Sequence, residues 1–99
     1  MQPNVAIPAE AVHGFCRRRH IRKLALFGSV LRSDFGPESD VDVLVEFDPE
    51  QRVGLFELYE MELAQILGVP RIDLNTPGCL SPYFRDRVLA EAQVQYAGA

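Results

Sequence analysis

Cysteine is scarce in this sequence: Cys16 and Cys79 are the only two among 99 residues, and they lie far apart. Without paired spacing they offer neither a zinc site nor the disulfide framework of small secreted domains, so both are expected to be ordinary reduced thiols. Long apolar runs are missing as well. Nowhere do about 18 apolar residues follow one another, and the N-terminal stretch has no apolar run of signal-peptide length. Neither a membrane span nor export is expected, which makes the cytoplasm the expected location. Positive charge is in deficit, the formal net charge being -4. A sequence-independent nucleic-acid binder needs a broad cationic face, so direct nucleic-acid binding is not expected. A negatively charged substrate would need local help.

What is present is enough apolar material for one core, 47% of the residues being hydrophobic, and the expectation is one domain over residues 1–99. A chain of this size buries only somewhat more than about 60% of the surface its unfolded form exposes. It therefore has little room for a deep enclosed pocket beside its core, and an open cleft completed by a partner is the more natural expectation.

Pro8 to about Arg19 places Ala9, Val12, Phe15 and Cys16 on one helical face. Lys23 to Phe27 and Val41 to Phe47 are compact apolar runs suited to strands, the second rich in β-branched residues. Between them, Ser29 to Ser33 suits a brief helical turn, and Phe35 to Ser39 contains the loop residues Gly36 and Pro37. About Arg52 to Leu67 is proline-free, with a mostly apolar stripe through Leu55, Leu58, Tyr59, Glu62, Leu63, Ile66 and Leu67. Gly68 and Pro70 stop that helix, and Arg71 to Asn75 predicts a third strand ended by Thr76-Pro77-Gly78. Ser81 and Pro82 then open a last helix in which Tyr83, Val88, Leu89 and Ala92 continue a pattern toward Tyr96. The predicted order is αβαβαβα, an α/β (α+β) chain with no internal repeat.

The informative stretch is Gly28-Ser29, ten residues, then Asp40-Val41-Asp42. A glycine leaving a strand lets backbone amides approach an anion closely, and a helix starting there would add its dipole and the Ser29 hydroxyl. Alone, such a dipeptide reads as an ordinary turn. Residues two apart on a strand share a face, so Asp40 and Asp42 sit roughly 6.5 Å apart along the backbone, near enough to converge on metal ions. The pair would also suit a solvated strand end, but Val43-Leu44-Val45 directly after it fixes it at the edge of a core. Asp73, between Ile72 and Leu74, faces away from both and could join the pair across the sheet, or serve as a solvent-facing carboxylate paired with Arg71 or another arginine. Three carboxylates without a His or Cys ligand select magnesium or manganese over zinc.

These residues resemble the minimal nucleotidyltransferases of the polymerase β-like superfamily, whose signature is Gly-Ser, ten residues, Asp-x-Asp. The resemblance extends over nearly the whole chain. Arg32, Pro37 and Ser39 match the loop, Val43 to Phe47 the strand, Gly54-Leu55-Phe56 the next helix and Leu80-Ser81-Pro82 the last. Ser33, where glycine is frequent, and Asn75, where an apolar residue is frequent, depart from the pattern without touching the three aspartates.

The resemblance implies a small mixed sheet flanked by helices, with Gly28 and Ser29 on the triphosphate of ATP and Asp40, Asp42 and Asp73 as the catalytic and metal-binding set for two Mg2+ ions, Mn2+ being an alternative. Arg32 and Ser39 are added as nucleotide-binding candidates. Members of this length are antitoxins that adenylylate a tyrosine of a cognate toxin of the HEPN ribonuclease type, so that toxin, in a hetero-oligomeric complex, is the implied partner. The competing reading is a non-catalytic antitoxin that neutralises its toxin by binding and masking. Other features read as structural: the Arg17-Arg18-Arg19 run, with His20, as a solvated cationic helix end, His13 and His20 as structural or surface residues, and Phe56 and Tyr59 as core.

Overall fold

The computed structural model describes residues 7–32, 36, 40–48 and 56–98. Its elements run α1 (Ala9–Arg18), β1 (Ile21–Phe27), a 3-10 turn (Gly28–Leu31), β2 (Val41–Phe47), α2 (Phe56–Leu67), β3 (Ile72–Asn75), a second 3-10 turn (Pro77–Cys79), α3 (Arg85–Glu91) and β4 (Gln93–Ala97). The four strands form one mixed sheet in the order β3-β2-β1-β4: β1 is antiparallel to both β2 and β4, and β2 is parallel to β3. A parallel neighbour requires a crossover, and α2 is that crossover.

Alternation along β1 and β2 divides the sheet into two apolar faces. Leu24, Leu26, Val41, Val43 and Val45 join Val12, Phe15 and Cys16 of α1 and Tyr59, Leu63 and Leu67 of α2 in the main core. The opposite face carries Ala25 and Leu44, covered by Leu80 with Val88 and Ala92 beside it. α3 and the turn before it therefore lie over the face to which Asp42, two residues before Leu44, also belongs.

The stop of α2 is met closely, and two neighbouring expectations are met only in part. α2 ends in a Schellman arrangement, with Gly68 at φ +68°, its N–H donating to the Gln65 carbonyl and the Val69 N–H to the Ala64 carbonyl. The Ser81 hydroxyl accepts from the Tyr83 N–H within a turn, but the helix itself begins at Arg85 behind Phe84, so Ser81 and Pro82 do not open it as expected. Leu58, counted in the apolar stripe of α2, is 55% exposed, so the buried stripe narrows to Tyr59, Leu63 and Leu67. The expected start of that helix, residues 52–55, and the Gly54-Leu55 pair lie outside the described residues.

Two expectations need correction. The chain does not finish on a helix running toward Tyr96: Ala92 turns extended (φ -62°, ψ 138°) and residues 93–97 pair with β1. The unpaired edge of β1 is the cause, because its backbone groups need partners and Gln93-Val94-Gln95-Tyr96 alternates at the period a strand requires. The arginine run is also not simply a solvated helix end. Arg18 and Arg19 both grip Glu62 of α2 at 2.6 Å, and the Arg19 guanidinium lies 5.2 Å from the centre of the Tyr59 ring. They fasten α1 to α2.

Candidate active site

The site grows from the C-terminal end of β1 and the start of β2. Gly28 leaves β1 at φ +77°, a left-handed conformation that costs other residues about 1–2 kcal/mol. A Cβ placed there would collide with the Asp42 carboxylate, meeting Oδ2 first and Cγ at 3.1 Å. Glycine is thus required both by backbone conformation and by the close approach of the acid. The segment that follows is a four-residue 3-10 turn rather than an α-helix, so any anion binding there rests on close backbone approach and side chains more than on a helix dipole. The Ser29 hydroxyl donates to the Asp40 carbonyl at 3.4 Å, joining this turn to the approach of β2.

Asp42 and Asp73 are register partners across the parallel β2–β3 pair, and Phe27 is the partner of Asp42 on the other side. Burial raises the Asp42 pKa above the ordinary carboxylate range. The charges of Asp73 and Asp40 raise it further, Arg32 opposes them, and a hydrogen bond from Asp42 to Asp73 adds to the rise. Asp40 shares the electrostatics but takes another partner, its Oδ1 lying 2.8 Å from Arg71 Nε. The sequence allowed Arg71 to pair with Asp73; it pairs with Asp40. Among the described residues, no three His, Cys, Asp or Glu side chains are gathered into a ready metal-binding group. Ser39 lies outside the described residues, and Arg32 is exposed at the end of the 3-10 turn.

The donor chemistry fits a hard divalent cation. Asp40, Asp42 and Asp73 offer only oxygen, and the repulsion that Asp73 and Asp40 add to burial in raising the Asp42 pKa is what a bound cation relieves.

Among the described residues, open cavities lie on either side of the acids. One, of about 450 Å³, lies between β3 and α2 and is lined by Asp40 and Asp73 together with Glu57, Glu60, Met61 and Arg71. Glu60, which sequence reasoning passed over, accepts the Leu74 N–H at 2.8 Å, tying α2 to the exposed edge of β3 beside Asp73. The other, of about 400 Å³, is lined by Gly28, Leu31, Arg32, Arg87, Glu91 and Gln93.

The sequence model of the nucleotidyltransferase domain matches residues 9–94. The chain belongs to the nucleotidyltransferase family. Among relatives of this nucleotidyltransferase is a protein of Methanocaldococcus jannaschii named as a candidate protein adenylyltransferase, 31% identical over 86 residues that span 87% of this chain and 85% of the relative. A solved structure described as a candidate minimal nucleotidyltransferase shares 34% of its sequence and superposes with a TM-score of 0.69, covering 85% of each chain. A toxin-antitoxin crystal structure with AMP-PNP has the same fold, with a TM-score of 0.69 at 17% identity over 92% of this chain and 74% of the other. The mixed sheet with Asp42 and Asp73 side by side is therefore the sheet of a nucleotidyltransferase.

Proposed function

We propose that this nucleotidyltransferase transfers AMP from ATP to a hydroxyl of a partner protein, with a tyrosine of a cognate HEPN-type toxin as the acceptor and pyrophosphate as the leaving group. The observation that carries the reading is the contact of Gly28 with Asp42 and of Asp42 with Asp73, which joins a turn able to receive phosphate to a carboxylate pair. The name of the Methanocaldococcus relative supports adenylyl transfer to protein, and the fold shared with an AMP-PNP-bound toxin-antitoxin complex supports both nucleotide and partner.

In this reading Gly28 keeps the backbone open to the phosphate chain, Ser29 contributes a hydroxyl and Arg32 a cation. Asp40, Asp42 and Asp73 would hold magnesium, or manganese in its place, as two ions, which when bound neutralise the triphosphate and lower the pKa of the acceptor hydroxyl. The acceptor oxygen attacks the α phosphorus in line, the bond to the bridging oxygen breaks and pyrophosphate departs. Asp73 takes the proton from the attacking hydroxyl. For Asp40 to join the set it exchanges the Arg71 guanidinium for cation, a small step for a pair so exposed. AMP placed on a toxin tyrosine adds bulk and negative charge, which obstructs RNA at a nearby ribonuclease site.

The test is the intact mass of the cognate toxin after incubation with this protein, ATP and magnesium, beside an Asp40→Ala/Asp42→Ala control. Mass gains in whole AMP units that vanish in the control are the expected result. An unmodified toxin that is nonetheless bound and neutralised would replace this reading with masking.

A further inference from the structure

The cavity beneath α3 belongs to no role assigned so far. It opens from Gly28, the residue that also abuts Asp42, so it continues the carboxylate site in the direction away from β3. Its lining differs in charge from the cavity on the other side. That one holds Asp40, Asp73, Glu57 and Glu60 against a single arginine, whereas this one sets Arg32 and Arg87 against Glu91. Once the aspartates hold magnesium, a polyphosphate entering at Gly28 would meet two arginines against one glutamate on this side, and Glu57 and Glu60 on the other.

Arg87 is suited to meet it. It stands on α3 one residue before Val88, which packs on the sheet face shared with Asp42. Its Nε lies 3.2 Å from Glu91 Oε1, in a pair whose side chains are 79% and 63% exposed. A solvent-exposed i,i+4 pair of this kind holds its members only weakly, while a guanidinium offers a planar fork of donors that matches phosphate oxygens. We propose that Arg87 binds the terminal phosphates of the nucleotide in the α3 cavity, leaving Glu91 to do so, and that Glu91 limits affinity by competing for it. This rests on the reading of the protein as an ATP user, and extends that site to a helix the signature motif does not include.

The experiment is calorimetric titration of ATP and of AMP, each with magnesium, into the full chain and into Arg87→Ala, Arg87→Lys and Glu91→Gln. Arg87→Ala is expected to weaken ATP binding by about tenfold or more, the scale of one lost charge-assisted hydrogen-bond set, and to leave AMP binding unchanged because AMP lacks the terminal phosphates. Arg87→Lys should recover part of the loss, and Glu91→Gln should tighten ATP a few-fold. ATP affinity unchanged in Arg87→Ala, equal losses for ATP and AMP, or weaker ATP binding in Glu91→Gln each overturn the inference while leaving the proposed function standing. Failure of the unmodified protein to bind ATP overturns both. Because these side chains are exposed, thermal melts matching the parent are expected for all three variants, and Glu91→Gln tests the competition without removing the arginine.

Discussion

Gly28 and Asp42 are packed so closely that no side chain can be placed between them. The Gly28→Ala variant therefore carries two costs, a left-handed backbone worth about 1–2 kcal/mol and a displacement of the Asp42 carboxylate. Displacements on the order of 1 Å at a reacting group cost about a hundredfold in rate. AMP transfer, measured by single-turnover kinetics, should fall by about that factor or more, with the melting temperature lowered by several degrees. Activity close to that of the parent would mean that the turn and the acid do not act together.

Asp42 makes the metal-free protein sensitive to pH in a defined direction. Its folded-state pKa is raised, by burial first and then by Asp73 and Asp40. Its contribution to stability is fully present below the ordinary carboxylate pKa and is lost as pH rises through the raised value. Melting curves in a chelator should show Asp42→Asn gaining on the parent as pH rises from about 4 toward 7. Added magnesium should stabilise the parent and leave the variant largely unmoved. Equal magnesium responses would remove Asp42 from the cation site.

Glu62 has the opposite sign. Burial acts to raise its pKa, but hydrogen bonds and charge from Arg18 and Arg19 prevail and hold it below its usual value. Stability from this link is present above the ordinary glutamate pKa and lost as pH falls through the lowered one. Glu62→Gln should destabilise at pH 7 by about 1 kcal/mol, within the range for partly exposed pairs, and the gap should narrow as pH falls below the ordinary glutamate range. Denaturant midpoints above and below that range measure it.

The two thiols should separate cleanly. Burial pushes the Cys16 pKa up to about 12, whereas Cys79 is exposed and its pKa is lowered by hydrogen bonds with Thr76. Iodoacetamide at pH 8 should label Cys79 alone in the native state, and both thiols after unfolding in guanidinium. Native labelling of Cys16 would show that α1 opens from the core.

The site's address was legible because its spacing is local: Gly28, Ser29, Asp40 and Asp42 declare themselves within one stretch, and the alternation after Asp42 fixes the face on which it lies. Asp73 was legible only as a possibility, since its partnership with Asp42 depends on a parallel register that the sequence around it does not encode. The sequence over β4 is ambiguous for a physical reason. Val88, Leu89, Ala92 and Tyr96 fit helical spacing, Val94 and Tyr96 fit strand spacing, and the choice was made by the open edge of β1. Arg18, Arg19 and Glu60 were opaque for a related reason, because their partners lie many residues away on elements whose packing had first to be known.

The parallel β2–β3 pair also has a consequence for the order in which a folding chain becomes competent. Once β1 has found β2, Gly28 already lies against Asp42, yet nothing stands on the far side of that acid. Asp73 joins only when α2 has carried β3 around to the parallel edge, and because more chain separates Asp42 from Asp73 than Phe27 from Asp42, contact order favours the β1–β2 pairing forming first. A half-folded chain can therefore have its turn for phosphate and still lack its carboxylate pair, so during refolding activity should appear with the docking of α2 rather than with the first formation of sheet.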